Sequence, residues 1–214
     1  MTVTREPPAR AAGDRRGRRS GRGGAAVLNT VLGLLLVGGA VGLQSLGLSE
    51  NDASAPLTYV GDKGQEVDAR RFTVRLDSVG AAKAVRVSRT ETVETDQVFL
   101  IVRASAKSSL RPYHLAQPVL LDAEGRRFAA TDRVDSAKTL ADKWVQPDIW
   151  VSGPFFFEVP ASALPDAKVV FALPGSAMPV EPYAPEAEID LGLDEQAARR
   201  LAASPQDVYS LVEK

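Results

Sequence analysis

Few residues of this 214-residue chain could act as catalysts, because its only imidazole is His114 and it contains no cysteine. The lack of cysteine excludes a thiol nucleophile, a disulfide scaffold, a cysteine-ligated zinc ion and a lipid-modified cysteine anchor. His114 ends the proline-containing loop Arg111-Pro-Tyr-His114, and the chain has no Gly-x-Ser-x-Gly nucleophile motif. We therefore expect His114 to be a loop residue that is hydrogen-bonded or faces solvent, and we expect the protein not to be an enzyme.

Paired carboxylates are a second possible source of chemistry, since they could hydrolyse a glycan or hold a calcium ion. The candidate pairs are Asp122 with Glu124, Asp132 with Asp135, and Asp142 with Asp148. All of them fall in predicted turns, where Asp is favoured because its side chain accepts bonds from nearby backbone N–H groups. The spaced Asp-x-Asp-x-Asp-Gly run of a calcium loop is also missing. We expect turn residues here, with no metal and no cofactor.

The most suggestive segment for binding is Lys143-Trp-Val-Gln-Pro-Asp-Ile-Trp150, which holds both tryptophans of the chain on either side of a proline turn. Together with Tyr113, Trp144 and Trp150 form a candidate binding surface that could stack on a glycan or on a partner protein. The alternative is that one or both tryptophans fill the core. Solvent exposure distinguishes the two.

The chain that would position these residues divides into three segments of very different charge. Residues 1–22 carry seven arginines and two acids, residues 23–49 carry no charge, and residues 50–214 carry 19 basic and 25 acidic groups. As a helix, the 22 residues from Val27 to Leu48 would be about 33 Å long, which matches the bilayer core. We predict a basic, disordered cytoplasmic segment (residues 1–24), a single transmembrane helix (25–48) and a linker (49–58).

The arginines beside the apolar stretch set its orientation, since positive charge stays in the cytoplasm. The predicted location is the cell membrane, with a cytoplasmic N-terminus and an extracytoplasmic C-terminal domain. No aromatic residue accompanies the arginines to stack on a base, so we do not expect a nucleic acid partner. A cleaved signal ending at Ala53-Ser-Ala55 is the alternative, but signal cores are about 7–15 residues long and this stretch is longer.

The remaining chain has the short, alternating runs of a β-protein. Apolar Phe72, Val74 and Leu76 alternate with polar residues, and the fully apolar run Val98-Phe-Leu-Ile-Val102 indicates a central strand covered on both faces. A hairpin is predicted around Asp122-Ala-Glu-Gly125, because the glycine can take positive φ.

Further strands are predicted at residues 155–159 and 168–173, with weaker ones at 57–60, 84–87 and 188–191. About eight strands indicate an all-β fold, an antiparallel sandwich. Residues 174–214 are predicted to form a proline-rich connector, a last strand and a short helix at 195–203 capped by Asp194.

The order of these elements resembles a family of bacterial exported domains of unknown function with a telokin-like, immunoglobulin-like β-sandwich. The resemblance covers about residues 59–173 and is carried by the strands, the hairpin, Gly153 and the ending Phe157-Glu-Val-Pro160. It implies a domain tethered to a Gram-positive or actinobacterial envelope by a membrane helix or a lipid, and it brings no catalytic residues.

Taken together, the sequence predicts a single-pass, membrane-anchored immunoglobulin-like sandwich that acts as a non-catalytic binding or assembly module. The expected partners are the lipid bilayer and an envelope protein, such as a transporter or an envelope-building complex. Cell-wall glycan binding through the Trp144/Trp150 loop is the alternative, and a hydrolase ranks third.

Overall fold

The computed structural model describes residues 55–175 and 183–212, which contain ten strands, one α-helix and three short 3₁₀ helices. The strands are β1 (Leu57–Asp62), β2 (Glu66–Asp68), β3 (Phe72–Arg86), β4 (Thr92–Ser108), β5 (Val119–Leu121), β6 (Arg127–Ala129), β7 (Val151–Val159), β8 (Lys168–Ala172), β9 (Pro185–Asp190) and β10 (Gln206–Ser210), and helix α1 (Glu195–Ala203) lies between β9 and β10. In this part of the chain no helix is both long and apolar enough to cross a bilayer. The predicted cytoplasmic segment and transmembrane helix, residues 1–48, lie outside the described residues.

The strands form two five-stranded sheets. In the first sheet the order is β1-β9-β8-β5-β6; in the second it is β10-β3-β4-β7, with β2 paired to the start of β3. Most neighbours are antiparallel, as the sequence predicts, but β1 pairs with β9 and β10 pairs with β3 in parallel. Both exceptions place a strand from one end of the domain at a sheet edge, and the local alternation pattern contains no information about such long-range pairing.

The main core lies between the two sheets and contains side chains from both, among them Val74 and Leu100 of the second sheet and Val169 and Ile189 of the first. The prediction that β4 is a central strand covered on both faces is confirmed. Its Leu100 belongs to the main core, whereas Phe99 and Ile101 point to the other face, into a smaller cluster with Phe156. Because both faces of β4 are buried, its sequence is apolar at consecutive positions.

The predicted strand at 84–87 is not a separate strand. Residues 84–86 are the last three residues of β3, which runs unbroken from Phe72 to Arg86. Register shifts relative to β4 fall between Leu76 and Ser78 and between Ala82 and Ala84, and they interrupt the alternation on which the prediction relied. Strands β2 and β10 were not predicted, since β2 has three residues and β10 is mostly polar.

The hairpin and the C-terminal helix are confirmed. Gly125 has φ +76° in the turn between β5 and β6, and the Asp194 carboxylate accepts a bond from the Ala197 N–H at the start of α1. The predicted connector ends earlier than expected, because β9 already begins at Pro185, where a proline is tolerated as the first residue of a strand. Since β9 lies between β1 and β8, the sandwich includes strands beyond the 59–173 span of the resemblance.

Candidate functional site

An open cleft of about 660 Å³ lies at one end of the sandwich. Strands β1 and β9 begin there and β8 ends there, so the first sheet contributes Pro56, Pro185 and Leu173 to the lining. The second sheet contributes loop residues: Arg71 just before β3, the segment Arg111-Pro-Tyr-His114 after β4, and Trp144 before β7. We call this the Pro56 end, because the described chain starts beside the cleft.

Two loops that bear the aromatic residues are held together by backbone bonds. The Tyr113 N–H donates to Val145 O (3.0 Å), and the Val145 N–H donates back to Tyr113 O (2.8 Å). The next turn, Gln146 to Ile149, contains Pro147 followed by Asp148 at φ +58°, the left-handed conformation that Asp tolerates at this turn position. Val145 is fully buried and anchors this arrangement, while its neighbour Trp144 is 58% exposed.

Two pairs of side chains in the cleft are in close contact, a tilted pair of rings and a guanidinium group next to a Tyr ring. The ring centroids of Trp144 and His114 are 4.0 Å apart, and His114 Nδ1 lies 3.2 Å from Ala141 O, to which it donates in the matching tautomer. The Arg111 guanidinium lies 5.2 Å from the centre of the Tyr113 ring, and its Nε donates to the Tyr113 hydroxyl (3.2 Å). These contacts fix the orientation of Tyr113 and Trp144 before any ligand is present.

Trp150 does not belong to the cleft. It directly precedes β7 and packs on the outer face of the second sheet, with Arg75 5.1 Å and Lys107 4.8 Å from its ring centre. The structure therefore brings together two of the three candidate binding residues, Tyr113 and Trp144, and separates them from Trp150. Sequence reasoning missed Arg71, Arg111 and the prolines of the cleft, since prolines at strand ends were interpreted only as marks of connections.

A polar network on the same outer face joins three strands. The Ser105 hydroxyl is 2.5 Å from Asp77 Oδ2 and 2.6 Å from the Ser152 hydroxyl, and Arg75 pairs with Asp77 at 3.1 Å. In a hydrolytic triad the serine bonds to an imidazole, which in turn bonds to the carboxylate. His114, the only imidazole, instead bonds to Ala141 O in the cleft, so these residues do not assemble a Ser-His-Asp triad.

Two of the candidate carboxylates, those of Asp122 and Asp135, accept bonds from the backbone, as expected for turn residues. Asp122 accepts bonds from the Glu124 N–H (3.1 Å), the Arg126 N–H (2.8 Å) and Arg126 Nε (2.5 Å). Burial raises the pKa of Asp122, but these bonds outweigh it and hold the pKa below its ordinary value. Asp135 accepts from the Ala137 N–H in the same manner. Within the described residues, no three His, Asp or Glu side chains are grouped so as to hold a metal ion.

Comparison with known proteins finds structures that are similar to this chain at low sequence identity and low TM-score. No protein-family model and no curated protein matches the chain. A candidate lipoprotein of Bacillus subtilis, YcdA, aligns with 19% identity and a TM-score of 0.44 over 66% of this chain and 42% of its own. The chain thus spans less than half of that protein.

Two other bacterial structures align over most of their own length. The YjhA protein of Bacillus subtilis has 12% identity and a TM-score of 0.46, over 61% of this chain and 98% of its own. An uncharacterized β-sandwich protein of Clostridium difficile has 10% identity and a TM-score of 0.38, over 64% of this chain and 95% of its own. At these values the similarities support no argument about function.

Proposed function

We propose that the chain is a single-pass membrane protein whose extracytoplasmic sandwich binds a segment of an envelope protein, such as a transporter or an envelope-building complex, without catalysing a reaction. The proposed anchor is the uncharged stretch at residues 25–48, with the arginine-rich N-terminus in the cytoplasm. The proposal also assigns the sandwich to the immunoglobulin-like exported domains that its sequence resembles.

The cleft at the Pro56 end carries this proposal. A few residues provide most of the binding energy at protein interfaces, and Trp, Tyr and Arg are enriched among them. Trp144, Tyr113 and Arg111 meet in this cleft. Among the described residues, four prolines and several aliphatic residues also line the cleft, which favours an extended peptide that packs apolar side chains against them. Tyr113 and Trp144 are already oriented by their neighbours, so a ligand would need to order little of the site.

The charged side chains of the cleft also restrict the kind of ligand that fits. Among the described residues that line the cleft, Arg111 supplies a guanidinium group, and the one carboxylate, that of Glu186, already accepts a bond at Oε1 from the Thr58 hydroxyl (2.7 Å). The favoured ligand is therefore an extended segment that carries both an apolar side chain and an Asp or Glu residue.

Glycan binding is the second candidate, and the exposed Trp144 ring favours it, because sugar rings stack on aromatic faces. A glycan site that uses both tryptophans has less support, since the Trp150 ring is packed against Arg75 and Lys107. Among the described residues that line the cleft there is no Asn, Gln or Asp to bind sugar hydroxyls. This lining makes a peptide the better match.

Site-specific photo-crosslinking of the full chain in its native membrane tests the proposal. Benzoylphenylalanine in place of Tyr113 should give one discrete protein adduct, which should be lost when Trp144→Ala is added. The same probe at Val208, an exposed position on β10 away from the cleft, should not give that adduct. The same adduct from both positions would contradict protein binding in the cleft. Retention of the chain on purified wall polymer, abolished by Trp144→Ala, would support the glycan instead.

A further inference from the structure

Exposed apolar side chains are concentrated at the Pro56 end. Seven large apolar residues are exposed among those that the structure describes, and two of them, Val60 and Val208, lie elsewhere. The other five are at this end: Leu57 (45% exposed), Leu110 (78%), Trp144 (58%), Ile149 (56%) and Tyr183 (49%). Single exposed apolar residues are ordinary on a protein surface, but five on the loops and strand starts of one end form a patch that marks an interaction site.

These residues lie on both sides of the cleft. On one side, the Leu57 N–H donates to Ala184 O (2.9 Å). This bond places Leu57 close to Tyr183, the residue before Ala184. On the other side, Leu110 and Ile149 are on loops joined by the Asp148 N–H, which donates to Ser108 O (3.3 Å). Trp144 lines the cleft between them.

The side chains of this patch are of the types found at the surface of a bilayer. Trp and Tyr are enriched at membrane–water interfaces, where an apolar ring and a polar group are both solvated. Arg111 lies at the same end and can approach anionic headgroups. Leucine and isoleucine on loop tips add the apolar area that a shallow insertion needs.

The length of chain before Pro56 also favours lipid as the occupant, a step that depends on the membrane anchor of the proposed function. Seven residues separate Leu48, the last residue of the predicted span, from Pro56, so the two are joined by eight Cα–Cα steps. Fully extended, they cover about 29 Å at most. The end with the exposed apolar residues is thus the end that the chain keeps close to the bilayer.

We propose that the Pro56 end of the sandwich rests on the outer surface of the lipid bilayer, with Leu110, Ile149, Leu57 and Tyr183 in the headgroup region. The cleft then opens at the membrane surface, where it can receive a juxtamembrane segment of a membrane protein.

Spin labels in proteoliposomes of phosphatidylcholine and phosphatidylglycerol test this contact without any partner protein. The natural chain has no cysteine, so Leu110→Cys and Ile149→Cys each introduce a single labelling site, and Val60→Cys and Val208→Cys are matched exposed controls. Val208 lies opposite Ala84, twelve residues along β3 from Phe72, a distance of about 40 Å. Thermal unfolding of the four full-length variants checks that each retains the fold.

Labels at positions 110 and 149 should collide with a water-soluble nickel complex at least three-fold less often than the label at 208, and more often with oxygen. Equal nickel accessibility at all four positions would overturn the bilayer contact. Dipolar broadening between labels at 110 or 149 would also overturn it, since it would show that a second copy covers the patch. If alkaline carbonate extracts the chain from the vesicles, the anchor itself fails, which separates this failure from loss of the contact alone.

Discussion

At the scale of single residues, Gly153 shows how closely β7 is packed. A Cβ atom at this position would lie 2.9 Å from Leu140 N and 3.0 Å from Leu140 Cα, in the 3₁₀ turn Leu140–Asp142 that covers the strand. Those contacts are with backbone, which cannot move aside cheaply. Gly153, one of the residues that carry the family resemblance, is therefore required by packing.

Gly153→Ala should lower the free energy of unfolding by about 1–3 kcal/mol through overpacking. Gly80→Ala is the matched control in β3, since nothing lies within 4 Å of its added Cβ, and it should change stability by no more than about 0.5–1 kcal/mol. Denaturant unfolding of the full chain in detergent measures both. Equal losses in the two variants would show that the contact with Leu140 does not matter.

Asp122 makes the stability of the β5–β6 hairpin dependent on pH. Its pKa in the folded state is below the ordinary value of about 3.9, so its stabilising effect is complete above that value and is lost as the pH falls through the lower, folded-state pKa. Asp122→Asn should lower the melting temperature at pH 7, and the difference from the natural chain should shrink below about pH 4. Melting curves between pH 7 and pH 2 measure this, and a constant difference would contradict it.

At the scale of elements, helix α1 is stabilised both by its own sequence and by packing against the rest of the domain. Asp194 caps the helix through a 2.6 Å bond to the Ala197 N–H, and Glu195 pairs with Arg199 one turn later. Ala198 is buried, and Ala197 and Leu201 pack against the main core. The apolar residues of the helix thus pack on its own domain.

Asp194→Ala should cost about 1 kcal/mol of stability, because it removes the acceptor for an unpaired N–H at the helix start. Glu195→Ala, which removes only an exposed ion pair of the same helix, should cost about 0.3–0.5 kcal/mol. Urea unfolding compares the two. A larger loss for Glu195→Ala would show that the cap does not determine the start of α1.

At the scale of the whole molecule, the proposed topology places the sandwich on the extracytoplasmic side of the membrane. Because the natural chain has no cysteine, Val208→Cys supplies one exposed thiol on β10. A membrane-impermeant maleimide should label it in intact cells as completely as after lysis. Labelling only after lysis would place the sandwich in the cytoplasm and overturn the proposed location.

The sequence by itself determined the elements whose signal is local. The alternation of Phe72, Val74 and Leu76, the apolar run of β4, the turn at Gly125 and the Asp194 cap all depend on neighbours along the chain, so they were predictable. It also identified Tyr113 and Trp144 as candidate binding residues, from their types and their turn.

Only the tertiary structure decided which residues share a site. Pro56, Arg111, Trp144 and Pro185 meet in one cleft because β1 and β9 run in parallel and begin at the same end, a pairing between residues 128 positions apart. The same packing places Trp150 on an outer face although it follows Trp144 by six residues. Pairing between distant strands is set by burial of the whole core, and no short window of sequence contains that information.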